Sequence, residues 1–179
     1  ILSGGAIFQV GSTNSTIVGT SFTGNQVTSI GFLQNGGGAI DNAGSNTQLT
    51  VVNSTFTGNS ASNAGAINNA NASDATIVNS TFTNNSATNG GAIANRGSGA
   101  TVNVYSSTII GNTASVGAGI SNGGTSDTGI ANIVNSSISS NTATGDGGGI
   151  FTRGTLTVIN SVLADNSGQD GGGISVGSG

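Results

Sequence analysis

The chain lacks most of the side chains on which enzymes depend. Its 179 residues include no His, Cys, Lys, Glu, Met, Trp or Pro, and charged residues make up only 4% of the total. General acid–base and nucleophilic catalysis mostly use residue types that are missing or scarce here. The composition therefore predicts a protein that is not an enzyme and that needs no cofactor.

Positive charge is almost absent as well. Six Asp residues stand against two Arg residues, which gives a net charge of −4. Such a surface does not attract phosphate backbones, so nucleic acid is not an expected partner. No apolar run approaches the roughly 20 residues of a membrane span, and no export signal is expected within this chain. A Ser/Thr/Asn/Gly-rich chain with so little charge is typical of secreted bacterial repeat proteins, and we predict an extracellular or cell-surface location.

Two short motifs recur with a period of about 27 residues. Periods of this size indicate stacked units whose apolar faces are buried only by neighbouring units. The Gly/Ala-rich motifs ending in Ile lie at 4–7, 37–40, 64–67, 90–93, 117–120, 147–150 and 171–174. The motifs ending in Asn lie at 21–25, 55–59, 81–85, 108–112, 137–141 and 162–166. The repetition predicts a solenoid.

Apolar residues in register argue against disorder, which the polar composition would otherwise suggest. The first column contains Ile7, Ile40, Ile67, Ile93, Ile120, Ile150 and Ile174. The second column contains Phe22, Phe56, Phe82, Ile109, Ile138 and Leu163. The third column contains Ile17, Val51, Ile77, Val104, Ile133 and Val158. Polar and apolar residues alternate around the third column, and a period of two indicates β-strands.

These columns predict an all-β protein, a triangular parallel β-helix with three short strands per coil. Each unit would contain a GGxI strand, a second strand with the third column, an Asn-Ser corner and a short strand with the Phe column. The chain would form about six to seven coils of about 27 residues. At about 4.8 Å per coil the rod would be roughly 30 Å long. We treat residues 1–179 as a single β-solenoid domain.

The repeats resemble the GGA[ILV] and FxxN repeats of chlamydial polymorphic outer-membrane proteins and related bacterial surface proteins. Residues 22–25, 56–59 and 82–85 match the FxxN motif outright, whereas Ile109, Ile138 and Leu163 replace its Phe. The resemblance extends along the whole chain. It implies a right-handed parallel β-helix that is exported to the cell surface, often as an adhesin or an autotransporter passenger.

One Asn recurs in every unit although Asn is a poor strand former. In a parallel solenoid identical residues lie one coil apart, so each amide can donate to one neighbour and accept from the other. Asn also tolerates the left-handed backbone of a tight corner. We predict a structural ladder of Asn25, Asn59, Asn85, Asn112, Asn141 and Asn166, and a second, partial ladder of Asn42, Asn69, Asn95 and Asn122.

An apolar row follows the third column directly. It consists of Val18, Val52, Val78, Tyr105, Val134 and Ile159, which we call the valine row. Strand alternation places these side chains outside, whereas a bulge at the Asn-Ser corner would turn them inward. If the row faces outward, it forms an apolar stripe along the rod and predicts a lateral contact, most simply with another copy of the chain.

The chain begins and ends beside GGxI motifs, without a capping segment. Solenoids need polar caps or a neighbour over the terminal coil, because unpaired strand edges recruit further chains. Two interpretations follow. The chain is a fragment of a longer repeat protein, or it is a protomer that stacks end to end into a filament.

Asp146 and Asp170 precede the column Ile by four residues in successive coils, with Asp165 in the adjoining turn. Paired carboxylates can bind Ca²⁺ or act as acid and base. Earlier coils have Asn63 and Asn89 at the same position. A turn that favours Asn or Asp explains the pattern more simply, so Asp146, Asp165 and Asp170 are only a secondary candidate for a Ca²⁺ site.

Other features point to small ligands or to ice. Arg96 and Arg153 share a column two coils apart, which is too distant to clamp one group. Phe8 and Phe151 are expected at the surface as a weak platform for carbohydrate. The pairs Thr55/Thr57 and Thr81/Thr83 resemble antifreeze solenoid faces, although the array decays in later coils.

The sequence thus predicts a non-enzymatic extracellular structural β-solenoid that self-associates in a surface fibre, filament or matrix. An adhesin or autotransporter passenger stalk is the alternative, and an ice-binding solenoid is a second one. The expected partners are copies of the chain, end to end or lateral, together with glycans.

Overall fold

A computed structural model describes residues 4–28, 36–124 and 128–177, and these residues form three parallel sheets and one minor sheet. Sheet 1 consists of β1 (Ile7–Gln9), β4 (Ile40–Asn42), β7 (Ile67–Ala70), β10 (Ile93–Arg96), β14 (Ile120–Asn122), β18 (Ile150–Thr152) and β21 (Ile174–Val176). Sheet 2 consists of β2 (Asn14–Val18), β5 (Gln48–Val52), β8 (Asp74–Val78), β11 (Thr101–Tyr105), β15 (Ile130–Val134) and β19 (Thr155–Ile159).

Sheet 3 consists of β3 (Ser21–Thr23), β6 (Thr55–Thr57), β9 (Thr81–Thr83), β12 (Thr108–Ile110), β16 (Ser137–Ser139) and β20 (Val162–Ala164). The minor sheet pairs β13 (Thr113–Ala114) with β17 (Thr142–Ala143). Each strand pairs in parallel with the equivalent strand of the next coil, so the chain is a parallel β-solenoid with three strands per turn, as predicted.

The prediction of six to seven coils is slightly too high. Sheets 2 and 3 each contain six described strands, and six stacked strands make five inter-coil steps. The solenoid therefore has about five turns of about 27 residues.

The three predicted columns form the core. Ile40 pairs in register with Ile67, Val51 with Ile77, and Phe56 with Phe82. These side chains are buried in the middle coils, and those of Leu156, Val158 and Leu163 in the last coil are partly buried against the same core. The ring of Phe56 stacks on that of Phe22 at 4.8 Å and on that of Phe82 at 4.6 Å between centroids. Parallel stacking makes one continuous apolar interior from short, individually weak units.

Two corners of each coil contain a residue in the left-handed backbone region, where Gly and Asn are the least strained. At the corner between sheets 2 and 3, φ lies between 47° and 60° for Gly19, Asn53, Asn79, Ser106, Asn135 and Asn160. After sheet 3, φ lies between 54° and 67° for Gly24, Gly58, Asn84, Gly111, Ser140 and Asp165. The expectation that the ladder Asn occupies the left-handed corner position is wrong, because the residue before it has the positive φ.

The GGxI motif brings coil backbones into close contact. A Cβ atom added to Gly38 would collide with the carbonyl oxygen of Gly65, and one added to Gly65 would collide with that of Gly91. Glycine is therefore needed here for inter-coil packing rather than for flexibility. In the described ranges, no helix has the length and apolar character needed to cross a bilayer.

Candidate functional site

The Asn column after sheet 3 is a continuous hydrogen-bonded ladder. The side-chain Nδ2 of Asn59 donates to Oδ1 of Asn85 at 3.0 Å, and Nδ2 of Asn85 donates to Oδ1 of Asn112 at 2.9 Å. The same pattern joins Asn25 to Asn59, Asn112 to Asn141 and Asn141 to Asn166. Each Oδ1 also accepts the backbone N–H of the preceding ladder Asn, as for Asn59 and Asn85 at 2.9 Å. The amides thereby satisfy buried polar groups inside the protein and leave little capacity for a ligand.

A second ladder runs along the corner after sheet 1. Nδ2 of Asn42 donates to Oδ1 of Asn69 at 2.7 Å, and the series continues through Asn95 to Asn122 at 2.8 Å per step. It ends at the Oγ1 atom of Thr152, which accepts from Asn122 at 3.0 Å. These Asn side chains are fully buried. They hold the start of sheet 2 to the end of sheet 1, since Asn69 and Asn95 also donate to backbone carbonyls of sheet 2 strands.

A third ladder, made of serines, was not predicted. The Oγ of Ser80 accepts the backbone N–H of Ser54 at 3.1 Å, and the Oγ of Ser107 accepts that of Ser80 at 3.0 Å. Each hydroxyl also donates to the carbonyl two residues earlier, as Ser80 does to Val78 at 2.9 Å. The recurring Asn-Ser pair is the sequence signal for this ladder, although by itself the pair indicates only a turn.

The valine row faces outward. Val18 is 59% exposed, Ile159 48% and Tyr105 38%, whereas Val52, Val78 and Val134 are half-buried. The strand keeps its alternation through the row, because the chain turns only at the next residue, the left-handed corner position. The hydroxyls of the serine ladder donate hydrogen bonds to the backbone carbonyls of the row residues. No bulge turns the row into the core.

The residues of sheet 1 that point away from the core columns form its outer row, and they differ from the valine row in their burial. Asp41 pairs in register with Asn68, and both side chains are buried although they point away from the core columns. Nδ2 of Asn68 donates to Oδ1 of Asp41 at 2.7 Å, and Oδ2 of Asp41 has no hydrogen-bond partner among the described residues. Burial raises the pKa of the Asp41 carboxyl to about 6, and the Asn68 hydrogen bond offsets only part of that rise.

The candidate Ca²⁺ ligands are not gathered together. In the part of the chain that the structure describes, no group of three or more His, Cys, Asp or Glu residues could hold a metal ion. Asp165 is an exposed left-handed corner residue. The backbone carbonyls of Asp146 and Asp170 accept hydrogen bonds from Gly117 and Gly147, each at 2.9 Å, in successive coils. The stacking of Asp146 and Asp170 is thus a feature of the turn backbone.

The two aromatic residues proposed as a sugar platform differ. Phe8 is 44% exposed, whereas Phe151 is only 3% exposed, and the guanidinium of Arg153 lies 5.0 Å from its ring centroid. On sheet 3 the outward hydroxyl pairs are regular from β3 to β9 and are interrupted by Ile110 in β12. A regular hydroxyl array therefore covers three adjacent strands only.

Comparison with known proteins supports the resemblance drawn from the motifs. Residues 79–96 and 135–153 match the Chlamydia polymorphic membrane protein repeat. Each segment begins at an Asn-Ser corner and ends at or directly after the end of a strand of sheet 1, so it contains the strand of sheet 3, the ladder Asn and the GGxI motif. No curated protein matches the chain, and no solved structure matches it. The repeat match and the β-solenoid fold together indicate a bacterial surface protein.

Proposed function

We propose that this chain is a non-enzymatic, extracellular structural β-solenoid that associates with copies of itself along the valine row, in a surface fibre, filament or matrix. The observation that carries the proposal is the outward, in-register position of the six row residues on sheet 2. Single exposed apolar residues are ordinary, but a continuous row along a rod marks a contact surface.

A second copy is the partner that this row fits best. Two copies present apolar side chains at the same inter-strand spacing, so every row residue finds an equivalent neighbour in a symmetric pair. The outer face of sheet 2 also has little charge to oppose such pairing, since Asp74 is the only charged residue in its six strands. Copies can therefore approach without strong repulsion.

The expected affinity of one pair is low. The row can bury only a few hundred Å² of apolar surface, whereas a standard interface covers about 1,200–2,000 Å². At about 25 cal/mol per Å², the free energy gained by one pair is correspondingly small. Association becomes strong only when many rods align and their contacts multiply. This behaviour suits a fibre or matrix better than a stable soluble dimer.

The test is a triple substitution, Val52→Lys, Val78→Lys and Val134→Lys. Because these side chains face outward, the fold should survive, as read by circular dichroism, while lateral assembly seen by sedimentation and electron microscopy should disappear. The matched control is Thr57→Lys, Thr83→Lys and Ser139→Lys, which adds the same charge to the same coils on the outer face of sheet 3.

Three results would contradict the proposal. The wild-type chain could remain monomeric at all concentrations, the valine-row variant could still form bundles, or the sheet 3 control could dissolve bundles equally well. Unfolding of the valine-row variant would show that the row is structural rather than an interface.

A further inference from the structure

Both cationic side chains of this protein line the same cleft. The chain has only two residues of the Lys/Arg type, Arg96 and Arg153, and its net charge is −4. A cleft of about 270 Å³ beside sheet 1 contains them both, together with Asp146. Such a concentration of the scarce positive charge at one place is unexpected for a polar rod with no ligand.

The cleft runs along the rod between the two turns that flank sheet 1. Its floor is the outer row of that sheet, where Ser121 pairs in register with Phe151. One wall is formed by Asn89, Val116 and Asp146 in three successive coils, since Asn89 pairs with Val116 and the Asp146 carbonyl accepts from the next residue, Gly117. The opposite wall is formed by Arg96, Gly123 and Arg153.

The arginine wall has a gap at its centre. Gly123 occupies the middle coil without a side chain, so the backbones of Arg96 and Arg153 are separated by two strand spacings, roughly 9–10 Å. Arg153 is held against the Phe151 ring and donates to the Gly124 carbonyl at 3.2 Å. Arg96 is half-buried as a residue, and no hydrogen bond or ion pair joins its guanidinium to the described residues. A partly desolvated guanidinium without a partner favours an anionic ligand.

The other lining groups restrict the kind of anion. The Asp146 carboxylate repels a bare inorganic anion but accepts hydrogen bonds from hydroxyl groups, and Asn89 and Ser121 add an amide and a hydroxyl. A volume of about 270 Å³ lies just below the range of typical ligand pockets, about 300–1,000 Å³, and so suits a small ligand. We propose that this cleft binds a carboxylate-bearing sugar, with its carboxylate at Arg96 and its hydroxyl groups toward Asp146, Asn89 and Ser121.

This site goes beyond the proposed lateral association, because it lies beside sheet 1 and uses none of the valine row. The two functions can therefore fail separately. A sugar-binding rod that does not bundle, and a bundling rod that does not bind sugar, are distinguishable outcomes.

The experiment uses ¹⁵N-labelled protein, in which only two arginine Nε–H signals are expected because the chain has two Arg residues. D-glucuronate and N-acetylneuraminate are titrated in parallel, since they represent the uronates of polysaccharides and the acidic termini of glycoproteins. We expect at least one of them to move the Arg96 signal with a dissociation constant on the order of 1 mM. D-glucose and inorganic phosphate are the controls for the missing carboxylate and the missing hydroxyl groups.

Three variants identify the binding groups. Arg96→Gln should weaken binding roughly tenfold, whereas Arg96→Lys should retain part of it, because a charge-assisted hydrogen bond contributes about that factor. Asp146→Asn should weaken binding of the sugar several-fold, and Asp170→Asn, one coil away and outside the cleft, should leave it unchanged. The titrations of the wild-type chain test the proposal even if one variant folds poorly.

The proposal is overturned if neither acidic sugar shifts the Arg96 signal at about tenfold the expected dissociation constant. It is also overturned if glucose binds as tightly as glucuronate, since charge recognition is then absent. Equal binding of phosphate, with a gain in Asp146→Asn, would show a plain anion site instead.

Discussion

The repeated columns of the solenoid and the outer row of sheet 1 lie in the same stack of coils but differ in how much their residues vary. The interior columns and the valine row keep apolar side chains from coil to coil, and the ladders keep polar ones, so each makes a uniform surface. The outer row of sheet 1 changes at each step, and its consecutive members are Phe8, Asp41, Asn68, Ala94, Ser121, Phe151 and Ser175. The residues that repeat in every coil form the rod. The residues that vary between coils create local environments such as the buried Asp41 and the arginine cleft.

The largest effect should come from breaking a repeated interior column. Phe82→Ala removes a buried ring that stacks on Phe56 and pairs in register with Ile109, so it should lower the free energy of unfolding by about 3–5 kcal/mol. Urea denaturation measures this loss. Val78→Ala, in the same coil but on the outer row, is the control and should cost less than about 1 kcal/mol. A loss below that value for Phe82 would place the ring outside the core.

Breaking the first ladder should cost somewhat less. Asn85→Ala removes two donated and two accepted hydrogen bonds in a buried site, which we expect to cost about 2–4 kcal/mol. Asn71 is exposed and its side chain makes one hydrogen bond, to the Ala43 carbonyl, so Asn71→Ala should cost about 1 kcal/mol. Equal losses in thermal and urea unfolding would show that the ladder adds nothing beyond a turn.

Removing the buried carboxyl from the outer row of sheet 1 should raise the free energy of unfolding rather than lower it. The folded state raises the pKa of Asp41 from 3.8 to about 6, so it binds the proton more tightly than the unfolded chain does. Stability contributed by the neutral form is therefore lost as pH rises from about 4 to about 6. Asp41→Asn should remove this slope and raise stability at pH 7 by on the order of 2–3 kcal/mol.

The control for that measurement is Asp74→Asn, an exposed Asp in sheet 2, which should leave the pH dependence of unfolding intact. A wild-type stability that is flat between pH 4 and pH 6 would mean that Asp41 is solvated in the folded state.

The smallest effect is expected at the stacked turn carboxylates. Asp146→Asn together with Asp170→Asn should change stability by less than about 0.5 kcal/mol, since Asn suits the same turn. Added Ca²⁺ should not alter the melting temperature. A Ca²⁺-dependent rise that the double substitution abolishes would instead establish a metal site at these residues.

The periodic sequence predicted the strands, the three core columns and the stacking of the Asn residues. It could do so because a parallel solenoid places equivalent residues one coil apart, so one repeat determines the neighbours of the next. Strand alternation likewise predicts the outward position of the valine row. The sequence alone does not exclude an inward row, because it does not define the geometry of the Asn-Ser corner.

The tertiary structure decided the features that do not repeat. The serine ladder depends on a hydroxyl reaching a backbone N–H of the previous coil, which the Asn-Ser pair alone does not reveal. Asp41 is buried although it lies on the outer row of sheet 1, and Arg96 shares a cleft with Arg153 between the turns that flank that sheet. Periodicity determines which residues stack, whereas the path of the irregular turns determines which outward side chains meet solvent.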